Sequence, residues 1–70
     1  MIKIKVSELL GKHKMTRKAL AEKTGIRPAT VSTLYDETIK RLSVDMLNEL
    51  CKAFDCKIED ILEYIPDEDE

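Results

Sequence analysis

The sequence predicts an all-α domain of five short helices with a short N-terminal β-strand. Three observations carry that expectation. Apolar residues recur at three- and four-residue spacing through most of the chain. Residues suited to capping stand where those patterns start and stop. Only the first six residues alternate apolar with charged. Seventy residues make one domain, and a chain of that size buries about 60% of its unfolded surface on folding. Residues 1–66 are assigned to this domain, and the last four, Asp67-Glu-Asp-Glu70, to an acidic disordered tail.

Taken in order, MIKIKV sets Ile2, Ile4 and Val6 on one face of a strand and Lys3 and Lys5 on the other. Ser7 is suited to cap a first helix carrying Leu9 and Leu10, with Glu8 in its first turn. Gly11 weakens the interior of that helix and favours an early end. Thr16 is suited to cap a second helix over Arg17 to Thr24, with Met15 and Leu20 spaced as a hydrophobic staple. Gly25 fits the left-handed position that ends a helix, and Pro28 fits the first turn of the next. Only Ile26 and Arg27 lie between them, so the chain must turn a sharp corner. After the loop DETIKR, Ser43 is suited to cap a helix whose Leu47, Leu50, Cys51 and Phe54 form one apolar stripe. A last helix is expected to place Ile58, Ile61, Leu62 and Ile65 on one face and to stop at Pro66.

Several function classes are excluded by composition. No apolar run approaches the ~20 residues of a membrane span, and the N-terminus lacks a secretory pattern, so a soluble cytoplasmic protein is expected. Two cysteines do not make a disulfide framework, and Cys51 inside an apolar helix reads as a small hydrophobe. His13 is the only histidine and reads as a surface side chain, so neither a metal site nor a cofactor is expected. No nucleophile or carboxylate set surrounds it and no glycine loop cradles a phosphate, so the protein is expected not to be an enzyme.

Two short helices joined by a tight glycine corner form a helix-turn-helix arrangement. Ala21 is small enough to let the second helix cross the first closely. At about 100° per residue, Thr30, Val31 and Leu34 share one arc of the second helix. Pro28, Ala29, Ser32, Thr33 and Asp36 share the opposite arc, whose small methyl and hydroxyl groups suit base edges in a major groove. Cations flank it. Thr16, Arg17 and Lys18 open the first helix, Arg27 sits at the corner, and Lys40 and Arg41 follow the second helix. The net charge of −2 hides two poles. Residues 1–41 hold ten Lys/Arg and four Asp/Glu, 10 − 4 = +6; residues 42–70 hold two and ten, 2 − 10 = −8. That split suits either an ordinary mixed charged surface or a basic face for a polyanion, and charge alone does not decide between them.

Ala21, Gly25, Ile26, Val31 and Leu34 in LAEKTGIRPATVSTLY, with Leu47, Leu50, Cys51 and Phe54 in the later helix, carry a resemblance. The chain resembles small prokaryotic regulators of the xenobiotic-response-element class, the lambda repressor/Cro type of helix-turn-helix, in its compact single-domain form. That resemblance implies a lambda-repressor-like bundle of about five helices and a sequence-specific DNA-binding transcriptional regulator, more often a repressor. It also implies homodimers on palindromic double-stranded operators. Carried over by position, the base-reading sites fall on Arg27, Pro28, Ala29, Ser32 and Thr33. The phosphate contacts fall on Thr16, Arg17 and Lys40, with Lys18 and Arg41 beside them.

Three departures matter. Arg27 occupies a cap position where Ser or Thr is usual, Pro28 replaces a long amide side chain, and Asp36 and Glu37 place acid after the second helix. The acidic groups would repel phosphate if they faced it, and they motivate an alternative: a protein-interaction module of antirepressor or antitoxin type built on the same fold. No small-molecule pocket is legible in the sequence. The N-terminal strand is expected to pair either across a dimer or within its own chain near Tyr64 and Ile65.

Overall fold

Two short strands far apart in sequence close the fold on itself. In the computed structural model, which describes residues 1–66, strand β1 (Ile2–Ile4) pairs antiparallel with β2 (Leu62–Tyr64), Ile2 opposite Tyr64 and Ile4 opposite Leu62. Met1 and Ile65 exchange backbone hydrogen bonds of 2.8 Å in both directions, and the Lys5 amide donates to the Ile61 carbonyl at 2.7 Å. The ladder therefore uses the odd-numbered residues of the first strand. Ile2 and Ile4 turn their own amides to the outer edge.

Between the strands lie five helices: α1 (Val6–Lys12), α2 (Arg17–Thr24), α3 (Pro28–Tyr35), α4 (Val44–Phe54) and α5 (Ile58–Ile61). The order agrees with the all-α reading, and Thr16, Gly25, Pro28 and Ser43 stand where their chemistry places them. The Thr16 hydroxyl accepts from the Ala19 amide and the Ser43 hydroxyl from the Met46 amide, each at 3.0 Å. Gly25 has φ 78° at the end of α2, and Pro28 opens α3.

Ser7 does not cap α1. The sheet ladder holds the chain as far as Lys5, so the helix starts directly at Val6, a fully buried side chain, and Ser7 falls inside it. Gly11 does not end this helix early. The helix continues to Lys12, and the left-handed turn after it falls on Lys14, φ 53°.

The larger correction concerns the last helix. It stops at Ile61, and Leu62 to Tyr64 are extended. A four-residue helix has little stability of its own, whereas β1 offers a row of backbone groups that must be paired. Of the expected apolar face, Ile61 is fully buried, Leu62 and Ile65 are half-buried, and Ile58 stands outside the core. The N-terminal strand thus pairs within its own chain. The acidic tail, 67–70, lies outside the described residues.

One core joins all the helices: Val6, Leu20, Val31, Leu34, Leu50, Phe54 and Ile61 are its largest fully buried side chains. Cys51 and Cys56 are free thiols, half-buried against that core. His13 has an exposed surface, but its ring lies 5.3 Å from that of Phe54.

Candidate nucleic-acid interface

The corner between α2 and α3 is held by Thr24 as much as by Gly25. Thr24 is buried; its hydroxyl donates to the Leu20 carbonyl at 2.8 Å and accepts from the Ile26 amide at 3.1 Å. The Gly25 amide meanwhile bonds to the Ala21 carbonyl. With Ala21 buried beneath it, α3 lies against α2 and turns its other side outward.

That helix is graded rather than split in two. Val31 and Leu34 are fully buried, Thr30, Ser32 and Thr33 are half-buried, and Pro28, Ala29, Tyr35 and Asp36 are exposed. The Thr33 hydroxyl donates to the Thr30 carbonyl at 2.6 Å. With its hydrogen engaged, the hydroxyl can offer a partner only its acceptor oxygen, which suits an amino group on a base edge. The Thr33 carbonyl accepts from Thr38 at 2.9 Å and from Ile39 at 3.3 Å, seating the following loop on the helix end.

That seating gathers sites far apart in sequence. Ala29, Thr30 and Thr33 line one concavity of about 550 Å³ with Thr38, Ile39, Lys40, Arg41 and Met46. Two of the base-reading candidates and two of the phosphate candidates therefore share a groove wall. Arg27 lies elsewhere. It makes no side-chain bond at the start of α3 and borders a separate hollow with Thr30, Asp45 and Glu49, whose carboxylates lower the positive potential there.

On the other flank, Thr16 uses its oxygen to cap α2, leaving its hydroxyl hydrogen to donate. The Arg17 guanidinium lies 4.7 Å over the ring of Tyr35. Lys18 is exposed. Pro28 and Ser32 lie outside both hollows.

The two acids after α3 differ in role. Glu37 takes a left-handed backbone, φ 60°, and its carboxylate accepts from the outward amide of Ile4 at 3.3 Å. Its charge is drawn toward the terminal sheet, whereas Asp36 is exposed at the end of α3.

Sequence reasoning assigns no role to Tyr35 or to the Thr24 hydroxyl, and it reads Glu37 only as an acid that could repel phosphate. Tyr35 had a weak signal: it follows Pro28 by about two helical turns, on the outward side. The partners of Thr24 and Glu37 depend on the folded corner and the closed sheet.

Other chemistry is sparse. Among the described residues no group of three or more His, Cys, Asp or Glu is placed to hold a metal, and no helix is long and apolar enough to cross a membrane. Burial raises the Cys56 thiol above its ordinary pKa, and the neighbouring Cys51, Asp60 and Asp55 add to the rise.

Comparison with known proteins shows the family. The sequence profile of the Cro/C1-type HTH DNA-binding domain matches residues 5–67. The chain is also 40% identical over 66 residues to the uncharacterized HTH-type transcriptional regulator YozG of Bacillus subtilis strain 168, covering 94% of this chain and 79% of that protein.

Proposed function

The chain belongs to the Cro/C1-type helix-turn-helix DNA-binding family, and from that premise we propose that it is a sequence-specific transcriptional repressor that lays α3 in the major groove of its operator. One observation carries the proposal: the outward side of α3 bears small methyl and hydroxyl groups, and cations stand on both of its flanks. Thr16, Arg17 and Lys18 on one side and Lys40 and Arg41 on the other would clasp the two phosphate backbones bordering the groove, which fixes register without reading sequence. Pro28, Ala29, Ser32 and Thr33 would then meet base edges, with Arg27 at the corner. In this reading repression would act by occlusion, the bound domain covering its operator against the polymerase.

Operation in the cytoplasm, where bacterial operators reside, belongs to the same reading. So does a homodimer on a palindromic site, which would place two copies of α3 in successive major grooves about 34 Å apart. Ile2 and Tyr64, cross-strand partners exposed at 59% and 67%, supply apolar surface for such pairing.

The testing experiment is selection of bound sequences from a random duplex pool, followed by a salt titration on the recovered site. An enriched, two-fold-related sequence with strongly salt-dependent binding is expected. No enrichment, together with co-purification of a protein partner, would favour the interaction-module reading, for which exposed Asp36 and the carboxylates beside Arg27 are the supporting observations.

A further inference from the structure

Arg17 differs from the other cations around α3 in being held. Its guanidinium lies 4.7 Å over the Tyr35 ring, so the contact joins the first residue of α2 to the last residue of α3. Both side chains remain exposed, Tyr35 at 42%. Neither side-chain ion pair seen among the described residues, Lys3–Glu8 and Lys52–Glu49, involves Arg17.

The kind of holding partner matters. A carboxylate would cancel the charge of Arg17 and occupy its N–H fork. An aromatic face attracts the cation through the ring quadrupole, leaves the net charge intact, and leaves the in-plane N–H groups free to donate. An arginine already resting on a ring also has less rotamer freedom to lose when it binds a phosphate. Tyr35 lies about two turns beyond Pro28, on the rim where the outward side of α3 meets α2.

We propose that Tyr35 is a positioning residue for DNA binding: its ring holds Arg17 with the N–H donors turned toward a backbone phosphate beside the groove, and its contribution to affinity passes through Arg17. This rests on the DNA-binding reading above and adds to it a residue that would touch no base.

The test uses the full chain, the duplex recovered by selection, and five variants: Tyr35→Ala, Tyr35→Phe, Tyr35→Leu, Arg17→Ala and the Arg17→Ala/Tyr35→Ala double. Tyr35→Ala is expected to weaken binding about two- to five-fold with the salt slope unchanged, because the cation remains. Tyr35→Phe should stay near wild type, and Tyr35→Leu, which keeps apolar bulk without the quadrupole, should behave like alanine. Arg17→Ala should weaken binding and reduce the salt slope by about one. In the Arg17→Ala background the tyrosine change should add nothing.

Equal losses in both backgrounds would overturn the proposal, as would a Phe variant as weak as Ala, since the phenol would then be acting on its own. Should the Ala variant fail to fold by circular dichroism, the Leu variant carries the test, and wild-type affinity there counts against the ring. Failure of wild type to select any duplex defeats the DNA-binding reading itself, a result separate from additivity between the two residues.

Discussion

Thr24 shows how much of the corner rests on one hydroxyl. It meets a carbonyl of the helix that ends and an amide of the chain that follows, so Thr24→Val keeps the shape and removes both bonds. With the half-buried Ile26 amide then lacking its acceptor, destabilisation of about 1–3 kcal/mol is expected by denaturant unfolding; Thr24→Ser should recover most of it, and unchanged stability in the Val variant would contradict this role. Gly25 next to it has φ 78°, and beyond its chain neighbours nothing lies within 4 Å of an added Cβ. Gly25→Ala should therefore show only the backbone penalty, about 1–2 kcal/mol, partly offset by reduced freedom in the unfolded chain. In Thr33 the hydroxyl hydrogen is engaged by Thr30, so Thr33→Ala should change preference at one base pair, by about 1–3 kcal/mol, while Arg17→Ala weakens binding to all sequences. Uniform loss in the Thr33 variant would remove it from the base-reading set. Cys56 offers a check from pH. Burial and its neighbours raise its pKa, so less thiolate forms near pH 8 and iodoacetamide should modify it more slowly in the folded protein than after unfolding; equal rates would show that the thiol is not held as described.

At the scale of elements, the two-stranded sheet ties the start of the chain to Leu62–Tyr64 and reaches the loop after α3. The outward amide of Ile4 is capped by Glu37, from the loop that follows α3, which ties this loop to β1 and blunts a strand edge open to pairing. Glu37→Ala should speed hydrogen exchange at the Ile4 amide and lower stability by about 0.5–1.5 kcal/mol, with Glu37→Gln intermediate because it keeps an acceptor oxygen. Exchange at Ile4 as slow as in wild type would show that the carboxylate does not hold this edge. The helices were legible in the sequence because their signals are local. Thr16, Gly25, Pro28 and Ser43 each act within a few residues of themselves. The second strand was legible only as one of two alternatives, a partner for β1 near Tyr64 and Ile65, because Ile58, Ile61, Leu62 and Ile65 have helical spacing, and what overrides it is a strand far away in sequence. The same reason hid part of the interface. The outward arc of α3 follows from its period, and the cations from composition. The stacking of Arg17 on Tyr35 and the shared groove of Thr33 with Lys40 and Arg41 depend on how α2, α3 and the following loop pack.

Across the whole molecule, the opposed charges fall on different parts of the fold. The +6 of residues 1–41 covers β1, the first three helices and the loop to Arg41; among the described residues that follow, 42–66, two Lys/Arg and six Asp/Glu give 2 − 6 = −4 over α4, α5 and β2. Association with DNA should therefore be oriented as well as attractive, despite the net negative charge. If the four cationic phosphate candidates Arg17, Lys18, Lys40 and Arg41 each meet a phosphate, the slope of log K against log salt should be about −3 to −4 per bound domain. A slope near zero would mean that these groups meet no phosphate. The central claim, that the outward side of α3 reads the major groove, is tested most directly by base analogues placed one at a time in the selected duplex. 7-Deazapurines and uracil for thymine alter only the major-groove edge, and inosine for guanine removes only the minor-groove amino group. Binding should weaken at defined positions with the first set and be indifferent to inosine. Sensitivity to inosine alone, or to neither set, would take α3 out of the major groove.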